Sequence, residues 1–530
     1  MTGVRFVDAG AADGLPTSVD VLIVGSGPVG SAFARSIAAL APSARILMAE
    51  AGPRLTGRPG MHVRNIRDDR ERELARRRSE GPRGIEQASE AVQFGNLVSG
   101  KLLARGTGEP TPAPGTFFVN AELARDAPDG TLPAAAMSCN VGGMGSHWAG
   151  ATPHPRGRER IGFIPDEEWA SVLAAARRRL AVTSELSAAR PAWTACLSAL
   201  RSEFSELPPD GGVRNMPVAA RPALNGDGPY WTGSDVVLGD LARRPRETFA
   251  IAAQTLCREI LVDGGRAGGA VLAHLPSGRV TRVSAKVVVI AADSLRTPQL
   301  LWASGIRPPA LGRHLNDHLM LGTLVIPSYL EPPEDPFAVL TNMFDSGHVA
   351  NGGWIPYSDE VHPLHAQFSQ FEVPQRDGSG RTAGFCFFGY FLPKEIRPDD
   401  RVYFLDDAVD AYGMPGIAIH YQATEQDRKA LGYAENMLAR ATAALGSRLP
   451  GTSVVAAPGG SSLHYMGTIR MGEHDDGASV CDSYSRVWGF ENLFVGGNGV
   501  IPTPTACNPT LTSVALAIRA AGKVAALAGQ

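Results

Sequence analysis

The sequence predicts an α/β fold: a Rossmann-like dinucleotide-binding domain interleaved with an α+β second domain built on an antiparallel sheet. Three observations predict it. The first is the apolar run Val21-Leu22-Ile23-Val24, followed at once by Gly25-Ser26-Gly27-Pro28-Val29-Gly30. The second is a block of alternating, aromatic, strand-like segments between 320 and 425, such as Gly384-Phe385-Cys386-Phe387-Phe388-Gly389-Tyr390. The third is the return of a buried-strand pattern at Asn492-Leu493-Phe494-Val495-Gly496-Gly497, far from the first βαβ unit. A short apolar run without alternation suits a strand covered on both faces.

Taken in order, 31–40 reads as a helix with small residues inward, and Arg45-Ile46-Leu47-Met48-Ala49-Glu50 as the second strand. Residues 64–78 crowd both signs of charge and read as an exposed helix or arm. A helix is expected over 166–180 and a Pro/Gly-rich loop over 208–229. Strands are expected over 247–262, 269–275 and 286–292, with a turn into a helix over 293–301. Residues 427–445 form an amphipathic helix pattern, and 508–527 the closing helix. The predicted dinucleotide-binding domain comprises 15–60, 96–160, 236–325 and 455–530. The second domain comprises 161–235 and 326–454, and 61–95 is a charged arm or lid.

Composition excludes several classes. A formal net charge of -3 over 530 residues creates no field for nucleic acid. Cysteines 139, 196, 257, 386, 481 and 507 form no CxxC pair, which disfavours zinc and a disulfide framework and fits a cytoplasmic protein. No signal peptide and no membrane span are expected. His314 and His318 lie four apart, but no HExxH accompanies them, and no metal is expected. Neither Ser146 nor Ser294 lies in a GxSxG elbow, so serine hydrolysis has no support.

The chemistry gathers in three places. Gly25 permits a tight turn, Gly27 lets the backbone approach a pyrophosphate, and Gly30 lets helix pack on strand. Glu50, roughly 20 residues on, suits ribose hydroxyls. Gly142-Gly143-Met144-Gly145-Ser146-His147 can press backbone against a flavin ring, which favours FAD over NAD. Near the C-terminus, His464 can take a proton from an alcohol and Asn508 can hold that alcohol. With Pro509 at the first helical position, Asn508 is the expected N-cap.

These segments resemble the glucose-methanol-choline flavin oxidoreductases, and within them the pyranose oxidases and bacterial enzymes that oxidise glycosides. The resemblance rests on 25–30, 142–153, 311–318, 468–472, 482–497 and 508–512. It implies bound FAD, contacted also by Gly497, Asn498 and Thr510. It implies His464 as catalytic base, Asn508 as its partner, and hydride transfer to flavin N5. His147 stands where pyranose oxidases attach FAD covalently; Ala149 replaces their Thr, which favours noncovalent FAD here. Gln367 and Tyr390 are the expected sugar contacts. The segment 369–378, read as a loop, departs from the fungal pattern and suggests a bulkier glycoside. The implied reaction oxidises the 2- or 3-hydroxyl of a pyranose or glycoside to a keto sugar. Electrons pass to O2 or a quinone-like acceptor. A non-sugar alcohol is the alternative substrate, and a homo-oligomer is possible.

Overall fold

A computed structural model describes residues 4–11, 14–81, 112, 115–120, 130–186, 190–208, 211–222, 228–333, 351–374 and 382–530. The expected arm beyond residue 81, segment 96–111, and 375–378 of the expected loop lie outside the described residues.

Strand β1 (Ser18–Val24) leads through the glycine turn into helix α1 (Pro28–Leu40), and β2 (Ile46–Ala49) returns parallel to β1. The helix starts three residues earlier than expected because Pro28 fits the first turn, where no amide is needed. Helix α2 (Asp69–Arg78) is capped by the Asp68 side chain, which accepts from the Glu71 amide at 2.8 Å. Its charge is not wholly solvated: Arg72 and Arg76 are buried. Helices α3 (Asp166–Arg179) and α4 (Pro191–Glu203) follow.

The expected strand over 247–262 is two strands, β3 (Phe249–Ala252) and β4 (Thr255–Asp263). Gln254, at φ 52, turns the chain between them. β4 pairs antiparallel with β5 (Arg266–His274), and β5 with β6 (Val280–Ile290). β6 runs parallel to β1, and β3 parallel to β2. Helix α5 (Asp293–Ala303) leaves the C-terminal end of β6.

The second sheet is antiparallel. It contains β7 (Leu319–Pro327), β8 (Asn351–Ile355), β9 (His365–Pro374) and β10 (Thr382–Leu392). The order is β7-β10-β9-β8, with Arg214–Asn215 pairing β8 at the edge. Residues 369–374, expected to start a loop, therefore belong to β9. The expected loop over 208–229 likewise holds short strands at Arg214–Asn215 and Val218–Pro222.

A hairpin, β11 (Arg401–Val409) and β12 (Pro415–His420), precedes helix α6 (Glu425–Leu445). Ala366, Phe368, Phe388 and Tyr390 on one face of the sheet pack against α4 and α6, where Leu200, Leu438 and Leu445 are buried. Strand β13 (Leu493–Val495) pairs with the C-terminal half of β6, and helix α7 (Thr510–Ala528) closes the chain.

By length and composition α7 could cross a membrane, yet 72% of its apolar window is buried inside the protein. It packs between α1 and α3. The buried Arg519 forms a two-bond pair with Glu168 of α3, at 2.9 and 3.0 Å. Helix α3, placed by expectation in the second domain, thus joins the dinucleotide-domain core through Trp169 and Ala176. β7, placed largely in the first, lies in the second sheet.

Candidate active site

A cavity of about 480 Å³ is lined at one end by Gly25, Gly27 and Glu50, and at the other by Gln367, His464 and Asn508. It therefore joins the glycine turn to the second sheet. The nucleotide end follows from backbone constraints. Gly25 has φ +98, and a Cβ there would lie 2.3 Å from the Ala291 carbonyl oxygen. A Cβ at Gly30 would lie 2.1 Å from the Gly25 carbonyl oxygen, so Gly30 supports the turn from behind the cavity. Glu50 accepts from the Ser26 amide and hydroxyl at 3.0 and 2.7 Å, and from the Gly52 amide at 2.9 Å. Burial raises its pKa. The Ser26 hydroxyl also accepts from the Gly142 amide at 2.8 Å. Ser26 thus ties the glycine turn to the second glycine-rich segment, a role that spacing alone did not reveal.

That segment continues the cavity wall. Gly143, Met144 and His147 line it, while Gly142 lies behind, its carbonyl held by the Ser234 hydroxyl at 2.8 Å. A Cβ at Gly143 would approach the Gly27 Cα to 3.1 Å, so backbone meets backbone here. Both ring nitrogens of His147 are buried without a partner among the described residues. Burial lowers its pKa to about 3, so the ring is neutral. Gly497, Asn498 and Thr510 complete this wall. The first turn of α7 therefore faces the cavity with its partial positive end. A close backbone cradle, a neutral unpartnered imidazole and a helix N-terminus all fit a bound flavin dinucleotide.

The chemical end is a chain of side chains. His464 Nε2 lies 3.3 Å from Asn508 Nδ2, and His464 Nδ1 lies 3.1 Å from His318 Nδ1. Asn508 Oδ1 accepts from Gln367 Nε2, which also lies 3.0 Å from His365 Nε2. Burial lowers the His464 pKa to about 4, so above that pH its ring is a neutral base. His318 is likewise held well below the ordinary histidine value, first by burial and then by the neighbouring His464.

His464 is delivered by a constrained turn. Leu463 before it has φ 59, a left-handed conformation that costs a non-glycine residue about 1–3 kcal/mol. The buried Asp317 carboxylate holds this turn. It accepts from the Ser462 hydroxyl, the Gly460 amide at 3.1 Å and the His464 amide at 3.3 Å. Burial raises the Asp317 pKa to about 6 despite these bonds.

Two expectations change. Asn508 is not the helix cap: α7 begins at Thr510, Pro509 is its cap residue, and the Asn508 amide faces Gln367 and His464 instead. Tyr390 is not on the cavity wall. It is 0% exposed in the core between sheet and helices, because successive strand residues face opposite ways. Its neighbour Phe391 lines the cavity, across from His365 on β9. In the sequence His318 has no role beside His464, because it enters there only as part of the 311–318 segment and as a rejected metal pair with His314. Among the described residues no group of three His, Cys, Asp or Glu side chains gathers as a metal site.

Comparison with known proteins identifies the family. Two models of the GMC oxidoreductase family match residues 235–320 and 400–517. The chain is 43% identical to a C-glycoside 3-oxidase of Microbacterium trichothecenolyticum over 519 residues, covering 96% of this chain and 97% of that one. It is 30% identical to a pyranose 2-oxidase of Tricholoma matsutake, covering 96% and 94%. In fold it is similar to the formate oxidase of Aspergillus oryzae RIB40, with TM-score 0.65 and 15% identity over 96% of this chain and 98% of that one. The chain belongs to the glucose-methanol-choline oxidoreductases, and FAD is its cofactor.

Proposed function

We propose that this protein oxidises a secondary ring hydroxyl of a pyranose or glycoside to the keto sugar, and that a C-glycoside oxidised at the 3-position is its best substrate. The observation that carries the reaction is the pairing of His464 Nε2 with the Asn508 amide on one wall of the cavity. Bound FAD supplies the hydride acceptor. His464, neutral by burial, takes the hydroxyl proton at Nε2. Asn508 presents its amide to the substrate oxygen beside that base. Gln367 holds Asn508 from the far side and offers the remaining polar contact on the sheet face. Phe391 and Met320 give that end of the cavity apolar walls that exclude water. The substrate class rests on the 43% identity to a C-glycoside 3-oxidase, with pyranose 2-oxidases more distant. Electrons leave to O2 or to a quinone-like acceptor.

The test is an anaerobic absorbance spectrum of the holoenzyme before and after adding glucose or an aryl C-glycoside. Faster bleaching of the flavin band by the C-glycoside is expected. A band unchanged by both compounds would assign the site to a non-sugar alcohol. Reoxidation by O2 against benzoquinone then ranks the acceptors.

A further inference from the structure

The loop 503–507 delivers Asn508 to the cavity, and one buried carboxylate holds it. Glu159 lies far away in sequence, in the turn Gly157–Glu159, and is 2% exposed. Its Oε1 accepts from the Ala506 amide at 2.8 Å, the Cys507 amide at 3.0 Å and the Thr505 hydroxyl at 3.2 Å. Its Oε2 accepts from the Arg156 amide at 2.9 Å, and its backbone carbonyl accepts from the Thr503 hydroxyl at 2.8 Å. Asn508 follows this grip immediately in the chain, so fixing the 506 and 507 amides fixes the direction in which Asn508 leaves the loop.

We propose that Glu159 is a positioning residue for the oxidation, holding the 505–507 loop so that the Asn508 amide meets His464 and the substrate oxygen. The proposal rests on the role given to Asn508 above. A misplacement of about 1 Å in such a group can cost about 100-fold in rate.

The carboxylate also titrates in a useful range. Burial pushes its pKa up to about 7, against the pull of its four donors. The titratable group facing it from the loop is the Cys507 thiol, which burial keeps neutral. On its own turn, the Arg158 and Arg160 head groups turn outward to Asp359 and Asp166, and Arg156 presents its amide. Protonation removes one acceptor from the four-donor set, so the grip weakens as pH falls through about 7. His464 stays neutral down to about pH 4, which separates the two titrations.

The experiment compares Glu159→Ala and Glu159→Gln holoenzymes with the parent protein. Glutamine keeps an acceptor for the 505–507 donors and loses only the Arg156 bond. Flavin content, crystal structure, and the anaerobic flavin-reduction rate against pH with an aryl C-glycoside are measured. Glu159→Ala is expected to retain FAD, move Asn508 away from His464 and reduce its flavin about 100-fold more slowly. Glu159→Gln is expected to keep Asn508 in place, recover the rate to within about 10-fold, and lose the rate change near pH 7. Glu159→Ala reducing at the parent rate, or Asn508 unmoved in its crystal structure, overturns the proposal. So does Glu159→Gln failing like Glu159→Ala. If no sugar reduces even the parent enzyme, the substrate reading fails by itself. The position of Asn508 in the crystals still decides the role of Glu159.

Discussion

His464 and His318 meet nitrogen to nitrogen, with Nδ1 3.1 Å from Nδ1 and the rings crossing at 70°. Only one of these nitrogens can carry the shared proton. A base at His464 Nε2 requires the proton on His464 Nδ1, donated to His318, whose own proton then sits on Nε2. The opposite arrangement puts a proton on His464 Nε2 and removes the base. On the role proposed for His464, the first arrangement is the competent one, and His318 is the acceptor that supports it. His318→Ala is expected to keep FAD and slow flavin reduction by about 10- to 100-fold, with little change in substrate affinity. Rapid-reaction measurements of rate against substrate concentration check this; a change confined to affinity would remove His318 from this role.

His464→Ala removes the proposed proton acceptor itself. It is expected to cut the reduction rate by about 100- to 10,000-fold while the protein stays yellow. An anaerobic reduction rate near that of the parent would show that the proton leaves by another group.

The bond between flavin and protein is testable by acid. Among the described residues His147 presents two unpartnered nitrogens in a neutral ring, and Ala149 stands two residues later. The expected outcome is noncovalent FAD: acid precipitation should leave a yellow supernatant and a colourless pellet. A yellow pellet that His147→Ala turns colourless would show a covalent link there.

Stability should fall in mild acid. Among the described residues, eight histidines have lowered pKa values through burial: His62, His147, His154, His314, His318, His362, His365 and His464. For those with a resolved value, the folded pKa is about 3 to 4. The unfolded value is about 6.5. Between these limits the unfolded chain binds more protons than the folded one. The stability is therefore present above about pH 6.5 and drains as pH falls toward 4. Six carboxylates raised by burial, Glu50, Glu80, Glu159, Asp235, Asp293 and Asp317, act in the opposite direction, but they are six groups against eight. A thermal midpoint at pH 5 lower than that at pH 7.5 by at least about 5 °C is expected from scanning calorimetry. An equal or higher midpoint at pH 5 would show that the imidazoles are protonated or solvated in the folded protein.

Much of the nucleotide end was legible in one dimension. Gly25, Gly27, Gly30 and Glu50 act within a single βαβ unit, so local spacing places them, and β1, α1 and β2 follow from apolar runs and a proline. His464 and Asn508 were also legible, as a histidine in a glycine-flanked segment and an asparagine before the closing helix. What only tertiary structure decided depends on contacts between distant segments. Strand parity is one case: a single residue separates Tyr390 in the core from Phe391 on the cavity wall, and an aromatic block with apolar residues on both faces carries no sign of which is which. The partners of the chemistry are the other. His318 reaches His464 across 146 positions and Glu159 reaches the 505–507 loop across about 350, through a buried imidazole and a buried carboxylate. Local periodicity reports which way a strand or helix turns. It does not report which distant amide or ring a buried polar side chain will find, and in this protein those meetings surround His464 and Asn508.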